Sequence, residues 1–147
     1  MAERSRTTGV PRRDAAGRVV GLPDLIAAAL AYALVNAVGL VLIDGVVAVL
    51  GLPGFGRSSG WLVLILPGLL FFDELRGWRG FPLRFLVAPV AAVVAIGLGL
   101  LAAGLASDLP PLVSGGIGAL VAVAVYPVIW FPAIRWVTGE HPTMESS

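Results

Sequence analysis

Residues 25–43, with the sequence LIAAALAYALVNAVGLVLI, carry no charged side chain, and their length and composition indicate the fold class. As an α-helix this stretch would measure roughly 28 Å, close to the thickness of about 30 Å of the hydrocarbon core of a bilayer. Pro23 and Asp24 precede it, and both residue types are favoured in the first turn of a helix. We therefore predict a membrane-spanning helix that continues to about residue 50.

Three further apolar stretches follow, and the four together predict an all-α bundle of transmembrane helices. The predicted spans cover about residues 25–50, 58–72, 85–106 and 112–134, so that residues 22–137 form one transmembrane domain with short loops. The span 58–72 is the shortest, and its Pro67-Gly68 pair predicts a kinked crossing, with a re-entrant or interfacial segment as the alternative. Residues 1–21 and 138–147 are polar and are predicted to be disordered tails.

A cleaved signal peptide is the alternative interpretation of the first stretch, because a charged segment precedes it and Ala31-Tyr32-Ala33 resembles a cleavage site. The apolar stretch continues to Ile43, however, well beyond the 7–15 residues of a signal-peptide core. We therefore retain the transmembrane interpretation.

The composition supports a membrane protein and excludes several kinds of chemistry. The chain has 147 residues, of which 58% are hydrophobic and 13% are charged, whereas about a quarter of a soluble domain is charged. Cysteine is absent and His141 is the single histidine, which excludes disulfides and iron–sulfur ligation and argues against a zinc site. We expect no cofactor, no metal and no nucleic-acid partner.

Arginines flank the four predicted spans unevenly, and this asymmetry predicts the topology. Five arginines precede the first span: Arg4, Arg6, Arg12, Arg13 and Arg18. Three lie between the second and third spans (Arg76, Arg79 and Arg84), and Arg135 follows the fourth. Only Arg57 lies between the first and second spans. Basic residues in short flanking segments are retained in the cytoplasm. The pattern predicts a multi-pass protein of the cell membrane with both termini cytoplasmic.

Asp44 is the outstanding candidate for a functional residue, because a charge is costly in the outer part of a bilayer. It is predicted on the helix face of Ala29, Ala33 and Ala37, pointing into the bundle or an oligomer interface, with Arg57 as its partner. An ion- or proton-handling carboxylate is the functional hypothesis. The structural alternative is an aspartate at a helix end that pairs with Arg57 or caps the next turn.

Asn36 and Tyr32 complete the candidate polar site, one helical turn apart in the first span. An amide within lipid normally donates to another helix, so that inter-helix hydrogen bonding is the structural interpretation of Asn36 and substrate contact the functional one. Residues 73–80 carry mixed charge at the membrane surface, and Arg76, Arg79 and Arg135 are the candidate partners of Asp73 and Glu74. A solvated loop that sets the topology is the favoured interpretation, with a patch that docks a partner or binds lipid headgroups as the alternative.

Small residues recur at four-residue spacing in the last two spans, as Gly99-x-x-x-Ala103-x-x-x-Ser107 and Gly115-x-x-x-Ala119. Such spacing allows close packing of helices within one chain or between copies.

No catalytic constellation is recognisable, so we do not expect an enzyme. The sequence favours a non-catalytic accessory or structural subunit, or a homo-oligomeric bundle. Its partners would be the lipid bilayer and a second copy or a larger membrane protein. The alternative is a small transporter or channel that uses Asp44.

Overall fold

A computed structural model describes residues 11–78, 80 and 82–139 of this chain, and all of its regular elements are helical. The described elements are α1 (Leu22–Val49), α2 (Arg57–Gly60), a 3₁₀ turn (Trp61–Leu64), α3 (Ile65–Gly77), α4 (Arg84–Leu105) and α5 (Pro111–Thr138). Four helical segments are long and apolar enough to cross a membrane: Leu22–Val49, Arg57–Gly77, Arg84–Leu105 and Pro111–Thr138. The predicted all-α class with four candidate spans is confirmed.

The second candidate span is longer than the sequence predicted. It comprises α2, the 3₁₀ turn and α3, and it runs for 21 residues because α3 continues through Asp73 and Glu74 to Gly77. At 1.5 Å per residue or more, this length reaches about 31 Å, which is compatible with a full crossing. The acidic pair therefore belongs to the end of a helix and not to the following loop.

On α4, small residues face the interior of the bundle and large apolar residues face outward. On α4 the buried positions recur every fourth residue, as Ala91, Ala95, Gly99 and Ala103. The large side chain of Val93 on the same helix is 72% exposed. This arrangement is the reverse of a soluble core and suits a lipid environment, where apolar side chains need no protein cover and close helix approach gives the packing energy.

Helix α5 packs against α1, α2, the 3₁₀ turn and α4. Its contact with α4 depends on glycine, because a Cβ added to Gly99 would lie 2.5 Å from the carbonyl oxygen of Gly118. A Cβ on Gly118 would in turn lie 2.7 Å from the carbonyl oxygen of Gly99. Gly99 belongs to the four-residue spacing read from the sequence, whereas Gly118 lies outside it, and the two helices approach each other within one chain.

The segment 11–20 is folded onto one end of the bundle, whereas the sequence predicted a disordered tail over residues 1–21. Arg13 and Val19 form an isolated antiparallel bridge, and Asp14 accepts hydrogen bonds from the backbone N–H of Ala16 and Arg18 within the enclosed turn. Val19 is fully buried. Residues 1–10 and 140–147, the remainder of the two predicted tails, lie outside the described residues.

This packing defines two ends of the molecule. The terminal end carries the segment 11–20, the last turns of α3 and α5, and the first turns of α1 and α4. The opposite end carries residues 50–56, α2 and the start of α5.

Candidate functional site

Asp44 lies near the opposite end of α1 and holds the loop that follows the helix. Its Oδ1 accepts a hydrogen bond of 2.7 Å from the backbone N–H of Phe55, and its side chain is half-buried. A Cβ at Gly54 would lie 3.2 Å from the same oxygen, so the glycine leaves room for the carboxylate. One carboxylate oxygen is thus engaged in closing the connection between α1 and α2.

Arg57 does not pair with Asp44, and that part of the sequence prediction is wrong. No salt bridge joins these two described residues; the Nε of Arg57 instead donates to the Oγ of Ser114 at 3.0 Å. The buried hydroxyl of Ser114 donates to the carbonyl of Pro111 at 3.2 Å. Gly115 allows α2 to lie this close to α5, because a Cβ at Gly115 would overlap the carbonyl oxygen of Arg57. Close packing of α2 on α5 therefore directs Arg57 to Ser114.

Asn36 provides the inter-helix hydrogen bond expected from the sequence. Its Nδ2 donates to the carbonyl of Leu62 at 3.0 Å and to that of Val63 at 3.4 Å. Pro67 has no N–H, so the α-helical hydrogen bond that would end at the Val63 carbonyl cannot form. The amide supplies a donor where the backbone of the second span lacks one.

Tyr32 is not brought together with the other predicted site residues. Its side chain is 42% exposed on the outer surface of α1, and it makes no hydrogen bond with the described part of the chain. Asp44, Arg57, Asn36 and Tyr32 therefore do not form one polar site. Three of them belong to separate structural contacts and the fourth faces outward.

The terminal end contains a buried carboxyl group, although the sequence predicted a surface loop at this position. Glu74 is only 1% exposed, and its carboxylate accepts from the backbone N–H of Val19 at 3.1 Å and from the indole Nε1 of Trp78 at 3.2 Å. Arg13 approaches it at 3.5 Å as the ion-pair partner. The expected partners Arg76 and Arg135 do not pair with it, and Arg79 lies outside the described residues.

Neighbouring arginines complete this end of the bundle. Arg135 donates from Nη2 to the carbonyls of Val19 and Val20, at 3.4 and 3.2 Å, so that the last turn of α5 also holds the N-terminal segment. Arg18 stands over the ring of Trp78, at 4.7 Å from its centroid. The signal for this cluster in the sequence was the four-residue spacing from Glu74 to Trp78, which places both on one helix face.

An apolar groove opens on the side of the bundle between α3 and α4. It has a volume of about 370 Å³ and is lined from Leu64 to Leu75 on one wall and from Ala88 to Ile96 on the other. Ala122 and Tyr126 of α5 contribute to its lining. The ring of Tyr126 is fixed there between those of Phe71 and Trp130, with centroid distances of 4.5 and 6.2 Å.

The described residues contain no cluster of histidine and acidic side chains suited to hold a metal ion, and His141 lies outside them. No family model matches this chain, and neither does any curated protein or solved structure.

Proposed function

We propose that this chain is a non-catalytic membrane protein that acts as an accessory or structural subunit, alone as a homo-oligomer or with a larger membrane-protein partner. The observation that carries the proposal is the use of polar groups within the spans. Asn36 donates to carbonyls of the second span, Asp44 accepts from Phe55, and Arg57 donates to Ser114. Each of these contacts joins parts of the fold, so each side chain has a structural use.

We further propose the cell membrane as its location, with the terminal end in the cytoplasm. Arg12, Arg13, Arg18, Arg84 and Arg135 lie at this end, whereas Arg57 lies at the opposite end. The excess of arginine at one end is the feature that retains flanking segments in the cytoplasm.

The first test is extraction of the protein from its native membrane at natural abundance in a mild detergent, followed by measurement of the mass and composition of the complex. A stoichiometric larger membrane protein, or a homo-oligomer that conducts no ions, would support the proposal. A monomer free of any partner would contradict it.

Asp44→Asn separates the proposal from the alternative of a small transporter or channel. A subunit should keep its assembly, since an asparagine Oδ1 still accepts from Phe55, and liposomes should show no ion or proton flux with either form. Flux through the wild-type protein that Asp44→Asn abolishes, with the folded protein still in the membrane, would establish the alternative. Ser59→Ala, a change at the same end that removes no ionisable group, serves as the control.

A further inference from the structure

The groove between α3 and α4 has the depth of one leaflet of a bilayer. Its α4 wall runs from Ala88, near the terminal end, to Ile96. Eight residues at 1.5 Å each give about 12 Å, whereas half of the hydrocarbon core measures about 15 Å. The groove therefore starts near one membrane surface and ends near the bilayer centre, as an acyl chain does.

Small residues make the groove, because they recess both of its walls. Gly68 lies on the α3 wall, and a Cβ added to it would meet no atom within 4 Å. Ala88 and Ala92 line the α4 wall, and Pro89 lies between them. The groove is open sideways to lipid and is apolar apart from the hydroxyl of Tyr126, which makes no hydrogen bond with the described residues.

Two arginines lie at the end of the groove that meets the membrane surface. Arg84 bridges the walls, since it starts α4 and donates from Nη1 to the carbonyl of Leu75, a residue of the α3 wall, at 3.2 Å. Arg76 is exposed and stands 5.6 Å from the ring centroid of Phe72, another residue of that wall. Asp73 does not line the groove and lies about 160° from Leu75 around α3, at 100° per residue; it lines a separate polar concavity together with Arg13 and Arg76.

We propose that this groove is a binding site for an anionic phospholipid, with one acyl chain between α3 and α4 and the phosphate at Arg76 and Arg84. The length of the groove matches a single leaflet, and the positive charge at its polar end complements a headgroup with a net negative charge. The inference is independent of the proposed function, because a lipid site would exist in a protein with or without a partner subunit.

Delipidated, detergent-solubilised full-length protein should be titrated with dioleoyl phosphatidylglycerol and, separately, with dioleoyl phosphatidylcholine, and bound lipid counted by native mass spectrometry. We expect one tightly bound phosphatidylglycerol and at least tenfold weaker binding of phosphatidylcholine. Glycerol phosphate, which has the anionic group without an acyl chain, should neither bind nor compete. Equal affinity for the two lipids would overturn the assignment of the headgroup.

Gly68→Leu and Gly97→Leu form a matched pair for the acyl-chain site. Both glycines are helical and a Cβ on either meets nothing within 4 Å, but only Gly68 lines the groove. Gly68→Leu should reduce phosphatidylglycerol binding at least tenfold, and Gly97→Leu should leave it within twofold of the wild type. If Gly68→Leu does not fold, Ala92→Leu fills the groove from the other wall. Equal binding by the filled and the control variants would overturn the proposal.

Arg76→Gln tests the headgroup contact, with Arg12→Gln as the control. Arg12 lies at the same end of the bundle but pairs with Asp24 of α1, which does not line the groove. We expect Arg76→Gln to weaken phosphatidylglycerol binding about fivefold, the contribution of one arginine near an anionic surface, and to leave phosphatidylcholine binding unchanged. Loss of phosphatidylglycerol binding to the same extent in both variants would contradict a specific contact.

Discussion

Asn36 of α1 supplies a hydrogen-bond donor close to Pro67 of the second span, which has no backbone N–H. Pro67 removes a backbone donor from the second span, and the amide of Asn36 on α1 donates to the carbonyls of Leu62 and Val63 nearby. In lipid no water can replace a missing donor, so these hydrogen bonds account for a polar side chain in the middle of α1.

Asn36→Leu should therefore lower the free energy of unfolding by about 0.6 kcal/mol, the average for inter-helix hydrogen bonds in membranes, and by no more than about 1.7 kcal/mol. In a Pro67→Ala background the cost should be smaller, because the substituted alanine would supply the backbone N–H that proline lacks. The measurement is an unfolding titration in mixed micelles for a double-mutant cycle, with Tyr32→Phe as the control. Equal costs of Asn36→Leu in both backgrounds would contradict this account.

At the scale of elements, the contact between α4 and α5 depends on two glycines at one crossing point. Gly99 and Gly118 approach so closely that a Cβ on either would contact the carbonyl oxygen of the other. The nearest atom in each case belongs to the backbone and not to a flexible side chain that could move aside, so a substitution must shift a helix.

Gly99→Ala should destabilise the bundle by about 1–3 kcal/mol, the usual cost of overpacking. Gly97→Ala is the matched control on the same helix, because a Cβ there meets nothing within 4 Å. It should leave stability unchanged or raise it by up to about 1 kcal/mol through helix propensity. The same unfolding titration measures both variants, and an equal response would show that the crossing tolerates a methyl group.

The turn in residues 11–20 is stabilised by hydrogen bonds from Arg18 to the carboxylate of Asp14. Burial acts to raise the pKa of Asp14, but hydrogen bonds from the backbone and side chain of Arg18, with the charge of that guanidinium, outweigh it and lower the pKa. Because the folded pKa lies below the unfolded one of about 3.9, this contribution to stability is fully present above the unfolded pKa. It is lost as the pH falls through the folded value.

A nitroxide on a cysteine placed at Ala16 should report this transition, since Ala16 is exposed and the chain has no natural cysteine. We expect an immobile label between pH 7 and pH 5 and increasing mobility below about pH 4. Asp14→Asn should make the label mobile at pH 7. Asp24→Asn removes another carboxylate of the same end and controls for general acid effects; an unchanged transition in Asp14→Asn would exclude this mechanism.

At the scale of the whole molecule, the fold places the segment 11–20 and the last turn of α5 together, through the hydrogen bonds from Arg135 to Val19 and Val20. The four candidate spans are an even number, which agrees with the position of both described chain ends at one end of the bundle. The proposal that this side is cytoplasmic depends on the distribution of arginines.

Single cysteines test this topology in intact cells with a maleimide that does not cross the membrane. Ser107→Cys, between α4 and α5, should be labelled from outside, and Ala16→Cys should be labelled only after lysis. Both positions are exposed, so accessibility within the protein does not distinguish them. Labelling of Ala16→Cys in intact cells would contradict the proposed orientation.

Four apolar stretches and their small-residue spacing determined the helical class, the number of candidate spans and the buried faces of α4 and α5, because length and composition suffice for insertion into lipid. The partners of the polar side chains, in contrast, depend on how the helices and the segment 11–20 pack together. Arg57 donates to Ser114 and not to Asp44. The carboxylate of Glu74 accepts hydrogen bonds from Val19 and Arg13, which lie more than fifty residues before it in the sequence. A hydrogen bond depends on the approach of atoms to about 3 Å, and helix packing, which local sequence does not encode, sets that approach.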